Sequence, residues 1–237
     1  MPGSRSDLII FDCDGVLIDS EIISAETLIA LVEPLGVAID LVYVRQHFLG
    51  RSFPTVAETI RREFDVVLPP GFEASYRCNL LRKFEIGLRP TPGIETVLES
   101  LAVPFCVATS SSPERVRRSL DVVGLAKYFL DNIYTASQVE NGKPAPDLFL
   151  YVADRQGVDP ARCLVIEDSL PGLEAARAAG MEVWHFTGGS HFSAMGGAPA
   201  KGVGADRNFD SWADFSHMMA QGTGMNALGD RNDGKQI

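Results

Sequence analysis

A short apolar run near the start of the chain, Leu8-Ile9-Ile10-Phe11, stops abruptly at Asp12-Cys13-Asp14-Gly15. An unbroken apolar run of this length reads as a strand buried on both faces, which is the strand type of parallel sheets covered by helices. Ligands of open α/β sheets bind just beyond the carboxyl ends of the strands. The run therefore puts Asp12 and Asp14 where chemistry is expected. The acid pair alone decides little, because Asp-x-Asp arises by chance at roughly one position in 300 at ordinary composition. Its weight depends on what the other strands deliver.

After Leu17 the pattern turns helical, with Asp19 or Ser20 as N-cap and Ile22, Ala25, Ile29 and Val32 at helical spacing. Further helices are expected over 40–48, 53–64 and 71–86, with no strand pattern between them. The spacing thus predicts a small α-helical unit over 18–88, inserted straight after the first strand. Arg89-Pro90-Thr91-Pro92-Gly93 reads as the hinge that brings the chain back. From there strands at 105–108, about 133–134, 163–166 and 183–186 alternate with helices at 94–101, from Pro113 with Ser112 as cap, at 148–155 and at 173–179. That alternation is the mark of an α/β parallel sheet, built here from 1–17 and 89–220. The Gly- and Ala-rich stretch 188–205 reads as loop, 209–219 as a last element, and 221–237 as a flexible tail.

Composition narrows the function classes. A net charge of −10 argues against a general nucleic-acid binder, which needs a basic surface, but not against small phosphorylated ligands. No apolar run is long enough for a membrane span or a secretory signal, and Cys13, Cys78, Cys106 and Cys163 show no zinc spacing, so a reduced, cytoplasmic setting is expected. No obligatory protein partner is evident.

Three expected strands end in reactive residue types: Asp12 and Asp14, the hydroxyl run Thr109 to Ser112, and Glu167-Asp168. Lys143 lies in a proline-stiffened loop between the last two. In a parallel sheet all of these converge on one edge, and the chemistry they suit is phosphoryl transfer. Asp12 can attack phosphorus and carry an aspartyl phosphate. Crowded carboxylates facing a phosphate dianion call for a hard cation, and Asp12, Asp168 and Glu167 are the candidates to hold Mg²⁺, Glu167 directly or through water. Asp14 can protonate the leaving oxygen and later take a proton from water. Thr109, the backbone N–H of Ser110 and Lys143 supply donors for the phosphoryl oxygens, helped by the helix opening at Pro113.

Phe11-Asp12-Cys13-Asp14-Gly15-Val16-Leu17, Ala108-Thr109-Ser110, Gly142-Lys143-Pro144-Ala145-Pro146-Asp147 and Val165-Ile166-Glu167-Asp168-Ser169 together resemble the four ordered motifs of the haloacid dehalogenase superfamily. The helical unit after the first motif is similar to a C1-type cap, near the β-phosphoglucomutase-like and sugar-phosphate phosphatase branch. The resemblance implies a Rossmann-like core and Mg²⁺ dependence. It makes Asp12 the nucleophile and Asp14 the acid/base, with the Asp14 backbone carbonyl on the metal. Thr109 and Lys143 would then hold the phosphate, and Asp168 the metal. Mutase members carry a histidine where this chain has Ser24, and Gly50-Arg51-Ser52-Phe53 has its arginine two positions early. Asp14 counts against a dehalogenase. The expectation is therefore a phosphatase of a small sugar phosphate or sugar-acid phosphate. A phosphomutase and a non-hydrolytic phosphoacceptor or binding domain are the alternatives. Arg51, Arg77 and Asn79 of the cap are the candidates, with Ser110, for reading the substrate. His47, His185, His191 and His217 have no metal-ligand spacing and read as structural.

Overall fold

A computed structural model of the protein describes residues 6–194 and 204–222. The pivot is β1 (Leu8–Phe11), whose four side chains are all fully buried. Side chains alternate across a strand, so Ile9 and Phe11 enter one hydrophobic cluster while Leu8 and Ile10 enter the other. One short strand thereby ties together the cores on both faces of the sheet.

Four helices come next: α1 (Glu21–Val32), α2 (Leu41–His47), α3 (Phe53–Phe64) and α4 (Phe72–Gly87). Among the described residues no strand interrupts them. In α4 the buried residues Phe72, Tyr76, Leu80 and Phe84 recur every fourth position, a stripe that gives the helix one apolar face, and α4 packs against α1. The chain leaves and re-enters the sheet layer side by side. Thr91 donates its N–H to Leu17 O at 3.0 Å and its hydroxyl to Val16 O at 2.6 Å, while Asp19 N–H donates to Arg89 O at 2.9 Å.

The rest alternates strand and helix: α5 (Ile94–Ser100), β2 (Phe105–Thr109), α6 (Pro113–Val122), the single turn α7 (Ala126–Phe129), β3 (Ile133–Thr135), α8 (Asp147–Gln156), β4 (Cys163–Glu167), α9 (Leu170–Ala178), β5 (Glu182–Phe186), α10 (Ser190–Ala194), β6 (Arg207–Phe209) and α11 (Trp212–Gly222). The six strands form one parallel sheet in the order β3-β2-β1-β4-β5-β6, flanked by helices, an α/β Rossmann-like core. Phe11 aligns with Val107 of β2 and Ile166 of β4, so the three central strands end nearly level. Strand order reverses at β1, and a crevice opens there beyond the strand ends.

Several local expectations need correction. α9 begins at Leu170, three residues before the expected 173, because the Ser169 hydroxyl accepts from Gly172 N–H at 3.3 Å and caps it. The stretch 188–205 is not all loop, since it contains α10; residues 195–203 lie outside the described residues. The last element is a strand and a helix, β6 and α11. Residues 221–222 close α11, and the rest of the expected tail, 223–237, lies outside the described residues. Neither Asp19 nor Ser20 caps α1 with its side chain: Asp19 accepts from Ser190, and the Ser20 hydroxyl donates to Asp14. Among the described residues no helix is long and apolar enough to cross a membrane.

Candidate active site

The floor of the crevice is an ion cluster assembled from three strand ends. Asp12 follows β1 directly, its N–H donating to Ile166 O at 2.9 Å, which fixes where its carboxylate emerges. Lys143 reaches in from the loop after β3 and donates to Asp12 Oδ1 and Glu167 Oε1, each at 2.6 Å, and to Ala108 O at 3.0 Å. Glu167 has no solvent exposure. Its second oxygen accepts from the N–H groups of Asp168 and Ser169 and from the Ser169 hydroxyl, each at 3.0 Å. A side chain on Gly172 of α9 would overlap that carboxylate, so the glycine makes room for it.

Carboxylate oxygens of Asp12, Glu167 and Asp168 lie within 4.8 Å of one another. One lysine faces three buried acids. Burial is the main cause that raises Asp12 to about 7, with Glu167 and Asp14 adding to it and Lys143 opposing it. Burial and the carboxylates of Glu167 and Asp12 also push Asp168 well above the ordinary range. Asp168 Oδ2 is buried without a hydrogen-bond partner. Three buried carboxylates against one lysine make an all-oxygen donor set with surplus negative charge, which fits a hard divalent cation that would supply the missing charge.

Asp14 sits on the wall above and has a different environment. It takes no part in the acid cluster through its carboxylate. Oδ1 accepts from the Ser20 hydroxyl and from Arg115 Nη2, both at 2.6 Å, and Oδ2 from the Ser111 hydroxyl at 2.5 Å. Burial works against its charge, but the Arg115 guanidinium and the two hydroxyls prevail and hold the carboxyl below its usual value. Gly15, at φ +78°, makes the turn beneath it and leaves space that a side chain would take from Asp168. Thr109 ends β2 nearly fully buried; its hydroxyl oxygen accepts from Ser111 N–H at 3.1 Å and keeps its own proton free to donate.

Helices α1 to α4 roof the crevice, leaving a cleft of about 920 Å³ including its open mouth. Asp12, Asp14, Thr109, Ser110, Lys143 and Asp168 all line it from the sheet side. Opposite them stand Arg51 and Arg77, the latter also paired with Glu73. Ser110 hydroxyl donates to Gly50 O at 3.2 Å and joins the two sides. Asn79 does not line the cleft: its amide donates to Ser75 O, one turn back on its own helix, at 2.9 Å.

Four further residues border the site. Arg115, in the first turn of α6, binds Asp14, donates to the Ser24 hydroxyl at 3.1 Å and lies 5.6 Å from the centre of the Phe84 ring, so it bridges sheet layer and roof. Glu21, at the start of α1, faces the same cleft, and burial with the nearby Asp14 charge raises it to about 8. His191 is fully buried, with Nε2 3.2 Å from Asp168 Oδ2. Burial lowers its imidazole to about 4, so it is neutral at pH 7. His185 also faces Asp168, with Nε2 3.2 Å from its backbone carbonyl.

Comparison with known proteins gives this arrangement a lineage. The chain is 28% identical over 189 residues to a 6-phosphogluconate phosphatase of Escherichia coli, covering 79% of this chain and 86% of the relative. It is 35% identical to a probable pseudouridine-5'-phosphatase of Drosophila melanogaster, over 73% of this chain and 78% of that one. A solved HAD family hydrolase from Deinococcus radiodurans, with bound phosphate and sodium, superposes with a TM-score of 0.72 at 31% identity, covering 92% of this chain and 97% of the other. The family model for haloacid dehalogenase-like hydrolases matches residues 6–180. With a match across most of its length, and with all four strand-end motifs gathered on one edge of the sheet, the chain belongs to the haloacid dehalogenase-like hydrolases.

Proposed function

We propose that the chain is a Mg²⁺-dependent phosphatase of small phosphomonoesters, a sugar phosphate or sugar-acid phosphate, working through an aspartyl phosphate on Asp12. The observation that carries this reading is the pairing of two aspartates two residues apart in opposite environments, Asp12 on the acid floor and Asp14 on the Arg115 wall. Relatives in sequence are named as phosphatases of 6-phosphogluconate and, in a second Escherichia coli relative at 32% identity, of fructose 1-phosphate.

Asp12, Asp168 and Glu167 would hold the cation, with Glu167 acting mainly through Lys143, since its carboxylate is already occupied. The bound cation supplies charge that lowers Asp12 into its ionised, nucleophilic form and offsets repulsion between carboxylates and phosphate. Asp12 Oδ attacks phosphorus and the P–O bond to the sugar breaks; the leaving oxygen takes a proton from Asp14, which must first gain it from solvent as substrate binding displaces its contact with Arg115, since Arg115 holds the carboxyl ionised in the free cleft. Water then attacks the aspartyl phosphate and gives its proton back to Asp14, the step for which the ionised, Arg115-bound carboxylate is suited. Thr109 hydroxyl donates to the phosphoryl oxygens, where charge spreads in the transition state, and Lys143 adds its charge there, donating a hydrogen bond only by giving up one of the three it makes to Asp12, Glu167 and Ala108 O. Helices α1 to α4, over 18–88, act as the cap that screens the site from bulk water, with the core in 1–17 and 89–220.

Phosphate release across a panel of phosphorylated sugars, sugar acids and nucleotides tests the reading. Turnover is expected with Mg²⁺, abolished by chelation and by Asp12→Asn. An isomerised sugar phosphate with no released phosphate, or turnover that survives in Asp12→Asn, refutes it.

A further inference from the structure

The pairing of His191 with Asp168 is not accounted for by the chemistry above. Both ring nitrogens of His191 are buried without an aligned hydrogen bond, and so is Asp168 Oδ2, although Nε2 and Oδ2 face each other at 3.2 Å. Two orphaned polar groups side by side in a fully buried place are costly unless each serves the other or a third party. Against the ionised Asp168 that a cation ligand would be, only the tautomer with the proton on Nε2 makes the contact attractive, since the other sets two lone pairs against each other. A small rotation of either group then completes an N–H···O bond.

The surroundings are shaped for this contact. A side chain on Gly189 would strike the His191 ring, at 2.6 Å from Cε1 and 2.7 Å from Nδ1, and one on Gly15 would strike the Asp168 carboxylate. Two glycines on separate loops thus clear the space that ring and carboxylate share. The ring is also held from behind. Ser190, at the start of α10, donates its N–H at 3.1 Å and its hydroxyl at 2.8 Å to Asp19 Oδ1, and Asp19 stands where the chain leaves the sheet layer for the roof. Phe192 packs on the imidazole with ring centres 4.3 Å apart.

We propose that His191 is a positioning residue for cation binding: its Nε2–H, fixed by the Ser190–Asp19 latch, orients the Asp168 carboxylate toward the acid cluster. The inference rests on the reading of that cluster as a Mg²⁺ site. His191 would not itself be a ligand, for the group of carboxylates close enough to share one ion does not include it. A neutral imidazole donor aligns a carboxylate without competing for the ion, whereas a charged one would lower the site's affinity.

The test reads Mg²⁺ affinity by isothermal titration calorimetry, with Mn²⁺ competition followed by EPR, and needs no substrate. His191→Phe fills the space without a donor and should weaken binding about 10–100-fold. His191→Gln restores an N–H near the Nε2 position and should stay close to wild type. Asp19→Ala loosens the latch and should weaken Mg²⁺ binding on its own, yet change nothing further in the His191→Phe background. Wild-type affinity in His191→Phe or in Asp19→Ala overturns the proposal while leaving the Mg²⁺ reading intact. Equal loss in His191→Gln and His191→Phe overturns it in favour of a packing role. A wild-type chain that binds no Mg²⁺ overturns both.

Discussion

Replacing Arg115 by methionine keeps most of the side chain's bulk and removes its charge. The Arg115 and Asp14 side chains are only 17% and 13% exposed, so Asp14 would be left largely buried and uncompensated. Removing one partner of a fully buried pair costs 3–5 kcal/mol, which that residual exposure reduces to about 2–4 kcal/mol. For a chain of this size each kcal/mol moves Tm by about 2–4 °C, so a fall of roughly 5–15 °C is expected. Asp14 contributes stability as a depressed carboxyl: fully present above its unfolded value near 3.8 and lost as pH falls through its lower folded value. In Arg115→Met burial is no longer opposed by the guanidinium and raises the Asp14 carboxyl, so the difference between wild type and variant should be largest at neutral pH and shrink as pH falls toward the depressed wild-type value. Urea denaturation of wild type, Arg115→Met, Asp14→Asn and the double variant closes a cycle whose coupling should be about 2 kcal/mol, because the double variant removes both charges. Coupling below about 0.5 kcal/mol, or a deficit that persists undiminished in acid, refutes the assignment.

Gly172→Ala should cost about 2–3 kcal/mol in urea denaturation, because the added methyl overlaps the fully buried Glu167 carboxylate; a change within 0.5 kcal/mol would mean α9 can shift freely. Mg²⁺ should raise Tm more at pH 8 than at pH 5.5. Asp12, raised from 3.8 to about 7, takes up a proton on folding, so the metal-free fold loses stability across that window as pH rises, and the cation binds the ionised form. An equal shift at both pH values contradicts this. In the roof, Arg51→Ala should raise KM several-fold, whereas Asn79→Ala, whose amide is spent within α4, should leave KM unchanged and stability within about 0.5 kcal/mol.

How much of this was legible in the sequence depended on whether a residue's neighbours are set by strand ends or by helix docking. Asp12, Thr109, Lys143 and Glu167-Asp168 could be gathered from the sequence because buried parallel strands are easy to recognise and a parallel sheet brings their carboxyl ends together. Arg115 could not. It follows Ser112 by three residues and reads as part of a solvated helix face; only the docking of α4 against α6 buries it over Phe84. Asn79 shows the same limit from the other side. The stripe Phe72, Tyr76, Leu80, Phe84 fixes which face of α4 is buried, but Arg77 and Asn79 flank it on opposite sides, and periodicity does not say which flank overlooks the cleft. β6 is three residues long with a single buried apolar side chain, and α10 follows two glycines, so neither carries a periodic signal.

Asp12 and Asp14 share a turn and differ in what sets their charge. Asp12 is raised because three acids crowd one lysine, an imbalance that the chain leaves for a cation to settle. Asp14 is lowered by groups the chain provides itself, Arg115, Ser111 and Ser20. Neighbouring carboxyls driven apart in this way can take different roles in one reaction. On the proposed mechanism the nucleophile is then conditional on metal, and the proton acceptor is not. Two of the groups that hold Asp14, Ser20 and Arg115, also touch the roof, Ser20 by preceding α1 and Arg115 through Ser24. Opening the roof would thus loosen Asp14 while leaving the Lys143 cluster as it is, which, on the proposed mechanism, would tie proton transfer, rather than nucleophile formation, to closure over the substrate.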